Sequence, residues 1–131
     1  MHRLYRAMRE AADGLPELGR SARTLGVRPG DQSPPDVAAV DPSDLVAPGT
    51  GGMSVAPDDP LRLPRHRRPA SLGGTGLDPV WVLDVADLSS DVVARRDSPT
   101  HATMEPTRQM SLADFEAALA ATRVKWKLFA R

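Results

Sequence analysis

The sequence predicts an α+β fold, in which a small, mainly antiparallel sheet carries an N-terminal helix and a C-terminal amphipathic helix. Short runs of strand-forming residues are separated by turn residues, and an apolar period of three to four residues appears near the end. The chain has 131 residues, so we predict a single domain spanning residues 1–131. Its 13 prolines and 10 glycines predict long irregular connections within that domain.

The first predicted element is a strand at His2–Arg6, with Leu4 and Arg6 on one face and Tyr5 on the other. Good helix formers follow at Ala7–Ala12 and predict a short helix that ends at the turn residues Asp13 and Gly14. Prolines then become frequent, which predicts a loop-rich segment at about residues 27–60.

Three further strands are predicted in the second half of the chain. Pro79–Val85 is almost continuously apolar, which is typical of a central strand covered on both faces. Val92–Arg95 is expected to pair with it as a hairpin, and a strand at His101–Glu105 completes a meander. Alternation along this last strand places His101, Thr103 and Glu105 on one face and apolar residues on the other.

A capped helix is predicted after this strand, over Ser111–Phe129. Ser111 is a good N-cap, and Asp114 three residues later completes a capping-box pattern. The apolar stripe consists of Leu112, Phe115, Leu119, Thr122, Trp126 and Phe129, at alternating steps of three and four residues.

Composition excludes several classes of function. The 17 basic and 17 acidic residues balance, so no global field attracts nucleic acid or a membrane surface. Cysteine is absent, which excludes disulfides and thiol catalysis, and the three histidines show no metal-ligand spacing. No signal peptide or membrane-spanning stretch is present, so we expect a cytoplasmic protein. Leu61–Pro69 carries four arginines and a histidine but no aromatic residue for base stacking, so nucleic-acid binding is a weak alternative.

Four residues form a group with recognisable chemistry. A guanidinium at Arg6 can pair with a phosphate, and Ser54 follows glycines that let the backbone approach a ligand. A carboxylate at Glu105 can stabilise an oxocarbenium ion, and His101 lies on the same strand face. Together these groups fit cleavage of a nucleotide N-glycosidic bond.

The order of several short motifs resembles a known toxin family along nearly the whole chain. The matching motifs are Leu4–Ala7, Gly51–Val55, Asp87–Leu88, Asp91–Val93, His101–Pro106, Met110 and the helix ending in Trp126. In this order they resemble the ADP-ribosyltransferase-fold toxins represented by the second exported effector of a type VI secretion system, and their actinobacterial relatives.

The resemblance implies an ADP-ribosyltransferase-like fold and a toxin that cleaves the nicotinamide–ribose bond of NAD. Cofactor-binding residues would be Arg6, Ser54 and Tyr5. Glu105 would bind the ribose hydroxyl and stabilise the transition state, supported by His101.

Two positions depart from the family effector. Met53 stands where the effector has threonine, and Glu105 stands where it has methionine. The resemblance leaves open whether ADP-ribose passes to an unknown target macromolecule or to water, and it implies a cognate immunity protein. The competing interpretation is a non-catalytic binding module on the same fold.

Overall fold

A six-stranded antiparallel sheet forms the centre of the protein in a computed structural model that describes residues 1–131. Its order is β5-β6-β3-β1-β4-β8, and β2 pairs separately with β7. The strands are β1 (Arg3–Ala7), β2 (Leu45–Val46), β3 (Met53–Pro57), β4 (Val80–Asp84), β5 (Val92–Ser98), β6 (His101–Pro106), β7 (Met110–Ser111) and β8 (Lys127–Ala130). One α-helix, α1, spans Leu112–Ala120. Short 3-10 turns occupy Pro60–Arg62, Arg65–Arg67, Ala70–Leu72, Val85–Asp87 and Arg123–Lys125.

The first strand lies in the middle of the sheet, between β3 and β4. Its side chains alternate between two hydrophobic clusters on opposite faces of the sheet. Leu4 is fully buried in the main core with α1, whereas Tyr5 and Ala7 pack in a smaller cluster on the opposite face. The predicted mainly antiparallel sheet and the helix near the C-terminus are therefore confirmed.

The predicted N-terminal helix at Ala7–Ala12 is wrong. The chain stays extended beyond β1, because the amide of Met8 donates to Pro79 O and that of Arg9 donates to Arg23 O. Glu10 then forms an isolated bridge with Pro16. These non-local hydrogen bonds, together with the complete burial of Met8, override a helix propensity worth only tenths of a kcal/mol per residue.

The predicted hairpin between the Val80 and Val92 strands is also wrong. β4 pairs with β1 along five positions and with β8 on its other side. Its alternate residues enter both cores, Trp81 and Leu83 on one face and Val80 on the other. A strand buried on both faces needs a hydrogen-bonded partner at each edge. For β4 these partners are β1 and β8. The β5–β6 hairpin formed as predicted.

The C-terminal helix begins where predicted and ends nine residues later. Ser111 Oγ accepts a hydrogen bond from the Asp114 amide at 3.1 Å, which confirms the N-cap. After Ala120 the chain turns, and Trp126 Nε1 donates to Thr122 Oγ1 at 3.0 Å, returning the indole to the core. The predicted extension to Phe129 is wrong, since that residue lies on β8 with its ring edge-on to Tyr5.

The connection that leads into β3 has little regular structure, although β2 and β3 themselves lie within the predicted loop-rich range 27–60. Residues 27–44 contain neither helix nor strand. Val27 and Val37 are nevertheless buried in the main core, so this segment is packed against the sheet. It forms one wall of the site described next.

Candidate functional site

A cavity of about 280 Å³ brings together three of the predicted site residues. Arg6 comes from β1, Ser54 from β3 and His101 from the start of β6, and these strands lie side by side in the sheet. The opposite wall comes from the proline-rich segment and from residues 62–67. Two irregular connections therefore close the cavity over adjacent strands of the sheet.

Arg6 is a buried cation that already has several partners. Its guanidinium donates to Thr24 O at 2.8 and 3.1 Å, to Ser54 O at 2.7 Å and to Ser21 O at 3.3 Å. Of five guanidinium N–H groups, four are used, so backbone carbonyls take most of its hydrogen-bonding capacity. Burial lowers the pKa of Arg6 to about 10, and the nearby carboxylate of Asp36 partly opposes that shift.

Ser54 and Thr103 are directly opposed in the register of β3 and β6, so both side chains lie on the polar face of the sheet. The carbonyl of Ser54 accepts from Arg6, which fixes the strand at the cavity wall. Met53, one residue earlier, is fully buried in the main core. The departure from the family threonine at this position therefore lies on the core side of the strand.

His101 is partly exposed and held by a carboxylate. Its Nδ1 lies 2.7 Å from Asp97 Oδ1 and 2.9 Å from Oδ2. Because a carboxylate only accepts hydrogen bonds, the tautomer that fits this contact carries its proton on Nδ1 and leaves Nε2 free. A histidine oriented in this way is suited to remove a proton from an attacking group.

Glu105 lies on the same sheet face but does not line the cavity. It is 3% exposed, and the loop before β3 covers it. Gly49 N donates to its Oε1 at 2.6 Å, Thr103 Oγ1 donates to Oε2 at 2.7 Å, and Arg95 Nε lies 3.4 Å from Oε2. A side chain at Gly52 would collide with Met104 O, so glycine there lets the loop lie directly on β6.

Tyr5 lies on the other face of the sheet from the Arg6 side chain. It lines a separate depression beside Phe129, with their ring centroids 5.1 Å apart. The register places Ser54 on the same face as Tyr5, because Tyr5 is opposite Ala56, so position along the strands rather than the sheet face separates Tyr5 from the cavity. The structure therefore groups Arg6, Ser54 and His101 and places Tyr5 away from them.

Four charged residues of the cavity were missed at the sequence level. Arg28, Arg62 and Arg67 contribute positive charge, and Asp36 pairs with Arg28 at 3.0 Å. With Arg6, the cavity holds four arginines and one carboxylate, a balance that suits a phosphorylated ligand. The basic run Leu61–Pro69 contains Arg62 and Arg67 and was the sequence signal for this positive charge. Nothing local in the sequence indicated that the run lies across the cavity from Ser54.

Metal and membrane features are limited. No group of three or more histidine, cysteine, aspartate or glutamate residues is arranged to hold a metal ion. None of the helices has both the length and the apolar character needed to cross a bilayer.

Comparison with known proteins relates the chain to a protein family. The family model described as Tse2 ADP-ribosyltransferase toxin matches residues 3–126, which include every strand of the cavity. No curated protein matches this chain. No solved structure matches it either.

Proposed function

Because this chain belongs to the Tse2 ADP-ribosyltransferase toxin family, we propose that it binds NAD in the Arg6–Ser54–His101 cavity and breaks the nicotinamide–ribose bond there. Family membership confirms the predicted resemblance and implies NAD as the substrate. The proposal rests on one observation, that these three residues line a single arginine-rich cavity. An ADP-ribosyltransferase-like fold is part of the same proposal.

In the proposed reaction the bond between ribose C1′ and the nicotinamide nitrogen breaks first. Its electron pair goes to the ring nitrogen, which loses its positive charge, and an oxocarbenium ion develops on the ribose. The attacking oxygen or nitrogen then bonds to C1′, and its proton passes to His101 Nε2. Asp97 stabilises the resulting imidazolium through the hydrogen bond at Nδ1.

Glu105 supplies negative charge behind the cavity wall in this proposal. Its carboxylate accepts a hydrogen bond from Thr103 Oγ1 at 2.7 Å, and Thr103 lies opposite Ser54 in the sheet. A buried anion behind the wall favours a cation on the ribose, because the low-dielectric surroundings screen it weakly. Ser54 holds the ribose between this anion and the arginines.

The acceptor is proposed to be a nucleophilic group of a macromolecule, with water as the competing acceptor. Hydrolysis releases nicotinamide and free ADP-ribose in equal amounts, whereas transfer releases nicotinamide in excess of free ADP-ribose. Measuring both products with purified protein, first in buffer and then with cell extract, separates the two reactions. An immunity protein that covers the cavity would lower both product yields.

Substitution of His101 tests the proposal directly. We expect His101→Ala to reduce nicotinamide release by about 100-fold or more, since general-base catalysis contributes that order of rate. His2→Ala is the matched control, because His2 lies outside the cavity. If wild type releases nicotinamide no faster than His101→Ala in buffer and in extract, the enzymatic proposal is wrong and the non-catalytic binding module takes its place.

A further inference from the structure

A second cavity adjoins the first one and shares part of its wall. It is a shallower depression of about 500 Å³, and Ala22, His66 and Arg67 line both cavities. The remainder of its wall comes from Ser21, Arg23 and residues 75–78. A ligand longer than one nucleotide that enters the first cavity can therefore continue into the second, past these shared residues.

Arg67 is the cavity arginine that has no protein partner. Arg28 is paired with Asp36, Arg62 donates to Pro57 O, and Arg23 forms a two-bond pair with Asp78 at 2.6 and 2.7 Å. Arg6 is held by backbone carbonyls. Arg67 is half-buried, and no hydrogen bond or ion pair engages its guanidinium, which leaves its N–H groups available at the junction of the two cavities.

The surroundings of Arg67 favour an incoming anion. Partial burial lowers its pKa, the carboxylate of Asp78 opposes that shift, and the nearby cations Arg28 and Arg23 each add a smaller lowering effect. An anion at the junction would relieve this repulsion and satisfy the free donors. Guanidinium groups bind phosphate oxygens through two parallel N–H bonds, so a diphosphate fits this position.

We propose that Arg67 binds the diphosphate of a dinucleotide whose two nucleoside halves occupy the two cavities. Given the proposed function, the nicotinamide–ribose half lies beside Ser54 and His101, and the adenosine half lies in the second cavity. The linker of the substrate must then cross the shared wall, which is where Arg67 stands. The ligand class of the second cavity is accordingly an adenosine 5′-diphosphate group.

Equilibrium binding of ADP-ribose, ADP, AMP and inorganic phosphate to the full chain tests this proposal. We expect ADP-ribose and ADP to bind wild type at least 10-fold more tightly than AMP or phosphate. Arg67→Ala should weaken ADP and ADP-ribose binding by 10- to 100-fold, and Arg67→Lys by less, because lysine keeps the charge but loses the two-bond geometry.

Arg65→Ala is the matched control. Arg65 belongs to the same 3-10 turn, its side chain is exposed, and it lines neither cavity, so its removal should leave affinity unchanged. Since the Arg67 guanidinium has no protein hydrogen bond, Arg67→Ala should also keep the wild-type thermal midpoint. Equal ADP affinity in wild type and Arg67→Ala would overturn the proposal, as would equal losses in the Arg65 and Arg67 variants.

Parallel kinetics distinguish this proposal from the proposed function. If NAD is cleaved and Arg67→Ala leaves KM unchanged, the diphosphate site is wrong while the enzymatic function stands. If ADP binds through Arg67 and no NAD is cleaved, the binding site stands while the enzymatic function is wrong. The supporting result is a KM for NAD raised 10-fold or more with a smaller change in kcat.

Discussion

Arg6 joins two parts of the protein in addition to lining the cavity. Its guanidinium connects β1 to the carbonyls of Thr24 and Ser54, which belong to a loop and to a neighbouring strand. Removing it leaves these buried acceptors without donors, and each such group costs about 1–3 kcal/mol. If an Arg6 variant loses activity, its stability must therefore be measured as well, to separate loss of ligand binding from loss of folding.

We predict that Arg6→Ala lowers the free energy of unfolding by about 3 kcal/mol. Arg3→Ala, on the same strand but exposed, should change it by less than about 0.5 kcal/mol. Urea denaturation followed by fluorescence of the buried Trp81 and Trp126 measures both values. Equal stabilities of the two variants would show that the guanidinium does not hold the Thr24 loop.

Glu105 allows its charge to be separated from its hydrogen bonds. Glu105→Gln keeps an oxygen for Gly49 N and an amide that can donate to Thr103, so the thermal midpoint should change little. Without the negative charge, nicotinamide release should fall about 10-fold or more. Glu105→Ala should lower both the rate and the stability, the latter by about 2 kcal/mol. A wild-type rate of nicotinamide release in the Glu105→Gln variant would show that Glu105 holds the loop and that its charge does not assist the reaction.

Asp58 makes the stability of β1 depend on pH. The amides of His2 and Arg3 donate to its carboxylate and lower its pKa below 3.8 in the folded protein. The unfolded chain therefore takes up the proton first as pH falls. The stabilisation is complete above about pH 4 and is lost as pH falls through the folded pKa.

We predict that Asp58→Asn weakens this acid dependence without deforming the turn. Asparagine keeps an acceptor for His2 and Arg3 and tolerates the left-handed backbone of residue 58, where φ is 63°. Thermal midpoints measured between pH 2 and 7 should fall less steeply for the variant than for wild type. Identical slopes would mean that other carboxylates dominate acid unfolding.

Among the elements, α1 depends on its cap because it has only nine residues. Isolated helices of this length are marginal, so capping and burial of Phe115 and Leu119 must stabilise it. Ser111→Ala should lower the free energy of unfolding by about 1 kcal/mol, whereas Ser111→Asp should retain most of it. Urea unfolding of the two variants measures both changes in free energy. Equal losses would show that the side-chain cap does not stabilise α1.

Local signals in the sequence predicted where elements begin and which face they present. Ser111 and Asp114 marked the start of α1, and alternation placed Ala102 and Met104 in the core. The end of the helix was hidden because Thr122 and Trp126 continue its apolar period, although Trp126 reaches the core through the turn that follows. Residues that reach the core from different elements can therefore recur at the spacing of a single helix.

Long-range pairing could not be predicted by the same means. Nothing local in β4 indicates that its partners are β1 and β8. For the same reason the arginines after residue 60 could not be placed opposite Ser54. The chemistry of Arg6, Ser54 and His101 suggested a group, and the family order of motifs supplied the relation between these distant segments.

Across the whole molecule, two-bond pairs between arginine and carboxylate fasten the irregular segment after β1 to later parts of the chain. They join Arg20 to Glu116, Arg23 to Asp78 and Arg123 to Asp13. Each pair connects residues distant in sequence, and all are partly exposed. Salt screens such pairs, while the apolar contacts of the sheet are insensitive to it.

We predict that residues 9–26 exchange amide hydrogens faster in 1 M NaCl than in 0.05 M NaCl. The strands β3 and β6 should exchange at nearly unchanged rates, because buried side chains hold them together. Hydrogen exchange followed by mass spectrometry reports both regions in one experiment. A uniform change across both regions would argue that salt acts on global unfolding rather than on these pairs.

The central position of β1 has a consequence for synthesis of the toxin. Its partners are β3 and β4, and Arg3 pairs with Asp84, about 80 residues later in the chain. A ribosome makes this middle strand before its partners and reaches β4 only at Val80–Asp84, so one edge of β1 stays unpaired until then. The cavity needs residues from Arg6 to His101, and incomplete chains that stop before β6 lack it. If the proposed cavity carries the toxic activity, that activity can arise only after β6 has been made.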